Sequence, residues 1–372
     1  MATLVEAIPA FAVYVYNLII ASFHSLFVST RGMTWTSSFF LSAVLSVLLL
    51  LYFVLSRSFP RKTSISNQHV IITGGSSGIG LACAKECVRR GAHVTLIARD
   101  EKKLERAKNE VLHRCGVTND DGRVAYLSCD VAKDCVTVER AMTEAALSME
   151  RRFIGRGHVA ALINCAGSGP GAAFDQTPPE RFEDLMRLNY FSAVYSTRAV
   201  LTEMKTRQRG RILFVSSQAG QLGLYGYTAY SAAKFALRGF AEALLMETKP
   251  HNVFVTLAFP PDTNTPGFAE ESKSLPEETK EISATAGLFE PEDVAKKMID
   301  DLEAGNFFCT FGLDGFMLGT LTAGMSPASS VVEIVVQFVF MSVFRIVGLF
   351  YLATFDGICR KWKVLREQNK AK

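Results

Sequence analysis

The chain has 372 residues, 49% of them apolar, a positive mean hydropathy and a net charge of +4. So small a charge, with 40 scattered Lys and Arg and no basic stripe, excludes a nucleic-acid-binding surface as the main partner. The eight Cys include no C-x-x-C and no paired His set, which disfavours a zinc site or a disulfide framework and suits a reducing compartment.

The first sixty residues differ in composition from the rest. Residues 7–28, AIPAFAVYVYNLIIASFHSLFV, carry no charge, and only Pro9, Asn17 and His24 dilute them. Residues 1–36 therefore read as an apolar extension that forms an extra span or lies at an interface. No basic segment precedes it, so a cleaved leader is disfavoured. Residues 39–55, FFLSAVLSVLLLLYFVL, are interrupted only by Ser42 and Ser46. With the flanking serines, 37–56 approaches the roughly 20 residues that cross a bilayer and predicts a transmembrane helix. Arg57, Arg61 and Lys62 in the basic linker 57–67 place that end in the cytosol.

From Asn67 short apolar runs alternate with longer mixed stretches. HVIIT (69–73), HVTLIA (93–98), VAYLS (124–128), ALIN (161–164), RILFVS (211–216) and VFVTLAF (253–259) predict buried parallel strands. Helix-length segments separate them, so residues 68–305 predict a Rossmann-type, doubly wound α/β sheet. The first strand runs into TGGSSGIG (73–80), where Gly74, Gly78 and Gly80 form G-x-x-x-G-x-G. Such glycines let the backbone approach a pyrophosphate at a helix N-terminus, with Ser76, Ser77 and Ile79 completing the cradle. No G-K-[ST] follows, which disfavours a triphosphatase loop. After the second strand, where NAD sites carry an acid for the ribose 2′-OH, stand Arg99 and, one turn on, Lys103. Arg99 suits a 2′-phosphate and hence NADP(H), although Asp100 follows it directly. Asp130 in SCDV is placed for an adenine contact, and Asn164 in NCAG stands beside the cofactor.

GYTAYSAAK (226–234) sets Tyr230 and Lys234 four apart, on one face of a helix. Alone, that tetrad is common by chance. In order, however, TGGSSGIG, NCAG, LNY, VSSQAG and YSAAK resemble the short-chain dehydrogenase/reductase family. The resemblance implies carbonyl reduction by NADPH without a metal. Tyr230 is then the proton donor, and Lys234 a cation that lowers the phenol pKa from about 10 and holds the nicotinamide ribose. Ser217 polarises the carbonyl, with Ser216 as a neighbouring competitor, and Asn189 links Lys234 to solvent through water. PPDTNTP (260–266) matches the loop that closes over the nicotinamide, bringing Pro260 and Thr263 to the cofactor.

Within that family, FVSSQAGQLGLYGYTAYSAAKFALRGFAEAL, PPDTNTPGFAEE and DGFMLGTLTAGMSP are similar to members that reduce a sphingoid ketone. This likeness implies 3-ketosphinganine as substrate and an endoplasmic reticulum membrane, with the catalytic domain facing the cytosol. A membrane-bound steroid or retinoid reductase would share every catalytic residue, and a non-catalytic NADP(H)-binding relative is the reading from another class. Family members pair through helices flanking the active site, which implies a homodimer. Residues 267–292 sit where the family carries its substrate lid, and Asp262 or Glu270 is a candidate partner for a substrate ammonium. Residues 331–355 are apolar but contain Glu333, Gln337 and Arg345. They read as interfacial or re-entrant, with a two-span hairpin from about residue 306 as the alternative. On this reading 306–358 is a membrane-associated region, and 359–372 is a basic cytosolic tail.

Overall fold

Near-continuous apolar runs with both faces covered make parallel strands, and seven of them form one sheet. They are β1 (His69–Thr73), β2 (His93–Ala98), β3 (Val124–Ser128), β4 (Val159–Asn164), β5 (Gly210–Val215), β6 (Val253–Ala258) and β7 (Phe308–Cys309). Their order is β3-β2-β1-β4-β5-β6-β7, parallel throughout. This computed structural model describes residues 59–116 and 122–370. The chain divides into two units, residues 1–59 and 60–372. The apolar extension 1–36 and the span expected at 37–56 lie outside the described residues.

Eleven α-helices are present among the described residues: α1 (Gly78–Arg89), α2 (Glu101–Arg114), α3 (Cys135–Arg152), α4 (Pro179–Met186), α5 (Ser192–Thr206), α6 (Thr228–Thr248), α7 (Pro266–Glu271), α8 (Glu277–Ser283), α9 (Pro291–Ala304), α10 (Gly312–Leu321) and α11 (Val331–Lys370). Successive strand residues feed opposite faces of the sheet. Ile72, Leu96, Ile163 and Leu213 pack with Met298 and Leu302 of α9 in one core, while Ile71, Ile97, Leu162 and Phe214 pack with Met142 of α3 and Leu244 of α6 in the other. The strand order reverses at β1, which pairs with both β2 and β4. In such sheets the crevice beyond the carboxyl ends of the strands at this reversal is where ligands bind.

Two elements differ from the expectation. Phe308–Cys309, in the stretch assigned above to the membrane-associated region, is the seventh strand, paired Leu257 to Phe308 and Ala258 to Cys309. Two residues are too few to show a strand period. The apolar C-terminal stretch is neither re-entrant nor a hairpin but one unbroken helix of 40 residues, about 60 Å long. It contains no proline, and Glu333 does not interrupt it. The Glu333 carboxylate accepts from the Ser329 N–H at 2.8 Å and from Gln337 at 3.1 Å, so its polarity is used at the helix start. Val332, Phe338, Ile346 and Phe350 are exposed on it. Among the described residues it is the one helix long and apolar enough to cross a membrane.

The glycine-loop helix is fixed from behind by charge. Arg90, next after α1, pairs with Glu86 at 2.7 Å and with Asp300 and Glu303 of α9 at 2.8 Å each. Buried Glu303 also accepts from the Ile65 N–H at 2.9 Å. Glu303→Ala therefore leaves a buried donor without its partner, and is expected to cost about 2 kcal/mol. Urea unfolding of the full chain in detergent checks this: the midpoint should fall with the slope unchanged, whereas an unmoved midpoint would mean the network is fully screened.

Candidate active site

Close backbone approach shapes the first half of the site. Gly74 (φ +67°) and Gly78 (φ +55°) occupy the left-handed region. A Cβ on Gly74 would stand 2.8 Å from the Ala166 nitrogen, and one on Gly80 only 2.4 Å from the Gly74 oxygen. Side chains are thereby kept out of the turn that leads into α1. Ser77 precedes α1 without capping it, so its hydroxyl takes none of the first-turn N–H groups. Gly74, Ser76, Ser77, Gly78, Ile79 and Gly80 all line a cavity of about 830 Å³. This cradle fits the pyrophosphate of a nicotinamide dinucleotide.

Arg99, Asp100 and Lys103 line the same cavity. Asp100 is the N-cap of α2, its carboxylate accepting from the Lys103 N–H at 3.0 Å, so the acid is engaged with the helix. Arg99 is exposed and in no ion pair among the described residues. The Ser128 hydroxyl holds the Arg99 carbonyl at 2.8 Å. Asp130 lines the cavity too, with its carboxylate on the Ala132 N–H at 3.0 Å. Pro260 and Thr263 are at the wall, where the Thr263 hydroxyl donates to the Pro261 carbonyl at 2.9 Å. Asn164 stands apart: it is buried at the end of β4 and is not a lining residue.

The candidate reacting groups come from the residues just after β5 and from α6. The Lys234 ammonium donates to the Val215 carbonyl at 2.8 Å, and the Ser216 hydroxyl donates back to the Lys234 carbonyl at 3.0 Å. Ser216 is thus committed to the helix backbone. Ser217 accepts from the Ala219 N–H at 3.2 Å and hydrogen-bonds Tyr230, which gives it rather than Ser216 the position beside the phenol. Burial raises the Tyr230 phenol above its ordinary value; the Ser217 bond opposes this, and the Glu271 and Asp262 carboxylates reinforce it. Burial lowers Lys234 from 10.5 to about 8, against the attraction of Cys165 and Glu271. The net shift of the phenol is thus upward, burial outweighing the lowering expected above. The ammonium turns to Val215 and lies 5.6 Å from the Tyr230 ring centroid.

Asn189 lies off the cavity, in a single π-helical turn, Arg187–Phe191. Its amide accepts from the Ser168 N–H at 3.2 Å and donates to the Ser168 and Leu185 carbonyls at 3.0 and 3.1 Å. A Cβ on Gly167 would meet Asn189 Oδ1 at 2.7 Å and Lys234 Nζ at 3.3 Å. Asn189 therefore positions the 167–169 segment against Lys234.

The remaining wall is apolar and comes from the C-terminal third. Ile282, Met317, Leu321, Tyr351, Leu352 and Phe355 line it. Besides Asp314, the carboxylates Asp262 and Glu271 face this half of the cavity; Glu271 accepts from the Gly169 N–H at 2.8 Å. Glu270, the candidate named from sequence, is instead exposed and pairs with Lys273. Adjacent glutamates on a six-residue helix look alike in sequence. Which one faces inward depends on helix phase, set here by the Thr265 cap on the Phe268 N–H at 3.1 Å.

The sequence profile of the short chain dehydrogenase family matches residues 68–276. The chain is 50% identical over 328 residues to a 3-dehydrosphinganine reductase of Danio rerio, covering 88% of this chain and 96% of that one. It is 47% identical over 323 residues to a 3-ketodihydrosphingosine reductase of Mus musculus, covering 87% and 95%. Among solved structures it is similar to levodione reductase (TM-score 0.56, 22% identity, 64% of this chain and 91% of that one). It is also similar to a variant actinorhodin polyketide ketoreductase with NADPH (TM-score 0.55, 27% identity, 65% and 92%).

A buried ammonium held near 8 has a consequence for stability. Below that pH the folded state carries a charge that burial disfavours; between about 8 and 10.5 the unfolded state binds more protons, so stability rises with pH. Lys234→Met is therefore expected to be more stable than the parent at pH 7 by about 1–3 kcal/mol. The gap should close as pH rises towards 10.5. Paired denaturant titrations across pH 7–10.5 test it, and a variant less stable at pH 7 contradicts the assignment.

Proposed function

The chain belongs to the short chain dehydrogenase family, and we propose that it uses NADPH to reduce 3-ketosphinganine to sphinganine at a membrane surface. The observation that carries this reading is the continuity of one cavity. It runs from the glycine cradle past Tyr230 to the apolar wall of α10 and α11, which suits a ketone bearing a long alkyl chain. The relatives from Danio rerio and Mus musculus carry names for this activity, at 47–50% identity over most of the chain.

The bound nicotinamide supplies the hydride. Ser217 and the Tyr230 hydroxyl receive the substrate carbonyl oxygen, where negative charge develops as the carbon is reduced. Tyr230, held protonated by its surroundings, gives that oxygen its proton, and the alcohol forms. Lys234, cationic at neutral pH, stabilises the phenolate left behind. Asn189 and Ser216 act as positioning residues, one on the 167–169 segment and the other on the α6 backbone. The engaged Asp100 and open Arg99 support NADPH as the cofactor, since Arg99 and Lys103 suit a 2′-phosphate.

The exposed apolar side of α11 and the basic residues Arg360 and Lys363 near its end support a membrane location. We assign the membrane to the endoplasmic reticulum and the catalytic unit to its cytosolic side, in keeping with Arg57, Arg61 and Lys62 after the expected span.

NADPH oxidation by detergent-solubilised protein tests the reading, with 3-ketosphinganine, a steroid ketone and NADH run in parallel. Tyr230→Phe should lower turnover by about 10²–10⁴-fold while still binding NADPH. Arg99→Ala should weaken NADPH about tenfold or more and narrow its preference over NADH. Turnover of the steroid alone would discard the substrate assignment.

A further inference from the structure

The reaction cavity holds more negative charge than the hydride transfer requires. Asp262 and Glu271 both line it, and no ion pair among the described residues includes either. Of the cations lining this half of the cavity, Lys234 is spent on the Val215 carbonyl, and Arg345 of α11 forms no ion pair with either carboxylate. Glu271 places one oxygen on the Gly169 N–H at 2.8 Å. Its other oxygen lies 3.4 Å from the point where a Cβ on Gly169 would stand, and Tyr230 Cζ lies 3.1 Å from that same point. The free carboxylate oxygen and the acid that protonates the ketone therefore flank one small space. Asp262 is hydrogen-bonded by Ser283, and burial followed by repulsion from Glu271 raises it to about 6. A half-buried carboxylate that faces a second one across a cavity is destabilised until a cation joins them.

We infer that Asp262 and Glu271 seat a cationic amine on the carbon next to the reacting carbonyl, so that this pair selects 2-amino ketones over plain ketones. The inference rests on the proposed reading, because a 3-keto sphingoid base carries its ammonium on the carbon adjacent to the ketone. A group that binds it must then stand beside the Tyr230 hydroxyl, as Glu271 does. Glu270 does not qualify, being exposed and paired with Lys273. Asp314, which also lines the cavity, is occupied by the Tyr351 hydroxyl at 3.3 Å. An ammonium between the two carboxylates also offsets their effect on the phenol, which makes Tyr230 a stronger acid when the right substrate is bound.

The test uses the full chain in detergent with NADPH. It compares kcat/KM for 3-ketosphinganine with that for its 2-desamino analogue of equal chain length, 1-hydroxyoctadecan-3-one. The parent protein should prefer the amine, and Asp262→Asn and Glu271→Gln should each reduce that preference about tenfold or more. Gln at 271 keeps an acceptor for Gly169, and the Asp262 variant is independent of that contact. For a variant too slow to assay, thermal stabilisation by sphinganine relative to octadecane-1,3-diol, with NADP⁺ bound, reports the same discrimination. Equal losses on both compounds, or an unchanged preference, would overturn the inference while leaving the proposed reaction standing. A parent protein that turns over no sphingoid ketone would instead remove the reaction, and the inference with it.

Discussion

The reciprocal tie between β5 and α6 is the constraint on which the site depends. Lys234 reaches back from the helix to the Val215 carbonyl, and Ser216, the next residue after the strand, reaches forward to the Lys234 carbonyl. Two bonds running in opposite directions fix both the distance and the phase of α6 against the strand end. Tyr230, one turn before Lys234, then has one place to go, beside Ser217. The contact also explains why a glycine stands at position 220, where a Cβ would fall 2.3 Å from the Ser216 oxygen. The ammonium that makes the tie is buried and its charge disfavoured, so the arrangement gives up stability at the point where the chemistry is done.

Short-range patterns with a strict physical meaning were legible in sequence. The glycine loop, the six long strands and the Tyr230–Lys234 spacing each depend on residues close together in the chain, and the fold places them as their spacing requires. What was not legible depends on phase or on distant partners. Ser216 and Ser217 are neighbours, and only the packing of α6 tells which hydroxyl the helix backbone takes. Glu270 and Glu271 differ by one step of about 100° around a short helix, enough to turn one to solvent and the other to the cavity. Asn164 and Asn189 share a residue type but not a role. One is enclosed at a strand end and the other clamps Ser168. Phe308–Cys309 is a strand only because β6 offers it an edge. Arg345 and Glu333 read as breaks in an apolar run, yet a helix without proline tolerates both.

The two halves of the cavity are built in different ways. The cofactor half uses the carboxyl ends of the sheet, with β1 at the reversal and its glycine turn, and needs little from the rest of the chain. The substrate half is assembled from α7, α8, α10 and α11, none of which belongs to the sheet. These elements are held by charge at their edges. Buried Glu278 of α8 meets Arg366 of α11 at 2.5 Å, and Glu281 takes both Lys361 and the Trp362 indole N–H. At the other end Arg238 of α6 binds the Thr322 and Ala323 carbonyls and the Ser326 hydroxyl, fixing the turn between α10 and α11.

That construction makes α11 a part of the reaction site and not an appendage. Gly348, Tyr351, Leu352 and Phe355 line the cavity while Phe338, Ile346 and Phe350 on the same helix are exposed. A helix 40 residues long, about 60 Å, is roughly twice the hydrocarbon thickness of a bilayer, and its last turns are basic. On the proposed reading, lipid covers the exposed apolar side and the anionic surface meets the basic end. The alkyl chain of the substrate then passes from lipid to a wall of the same apolar character, and only its polar head must be desolvated at Tyr230. The carboxylates inferred to meet that head, Asp262 and Glu271, come from α7 and the loop before it, on the catalytic unit. On this reading, selection by chain and selection by head group are carried by separate elements of the fold.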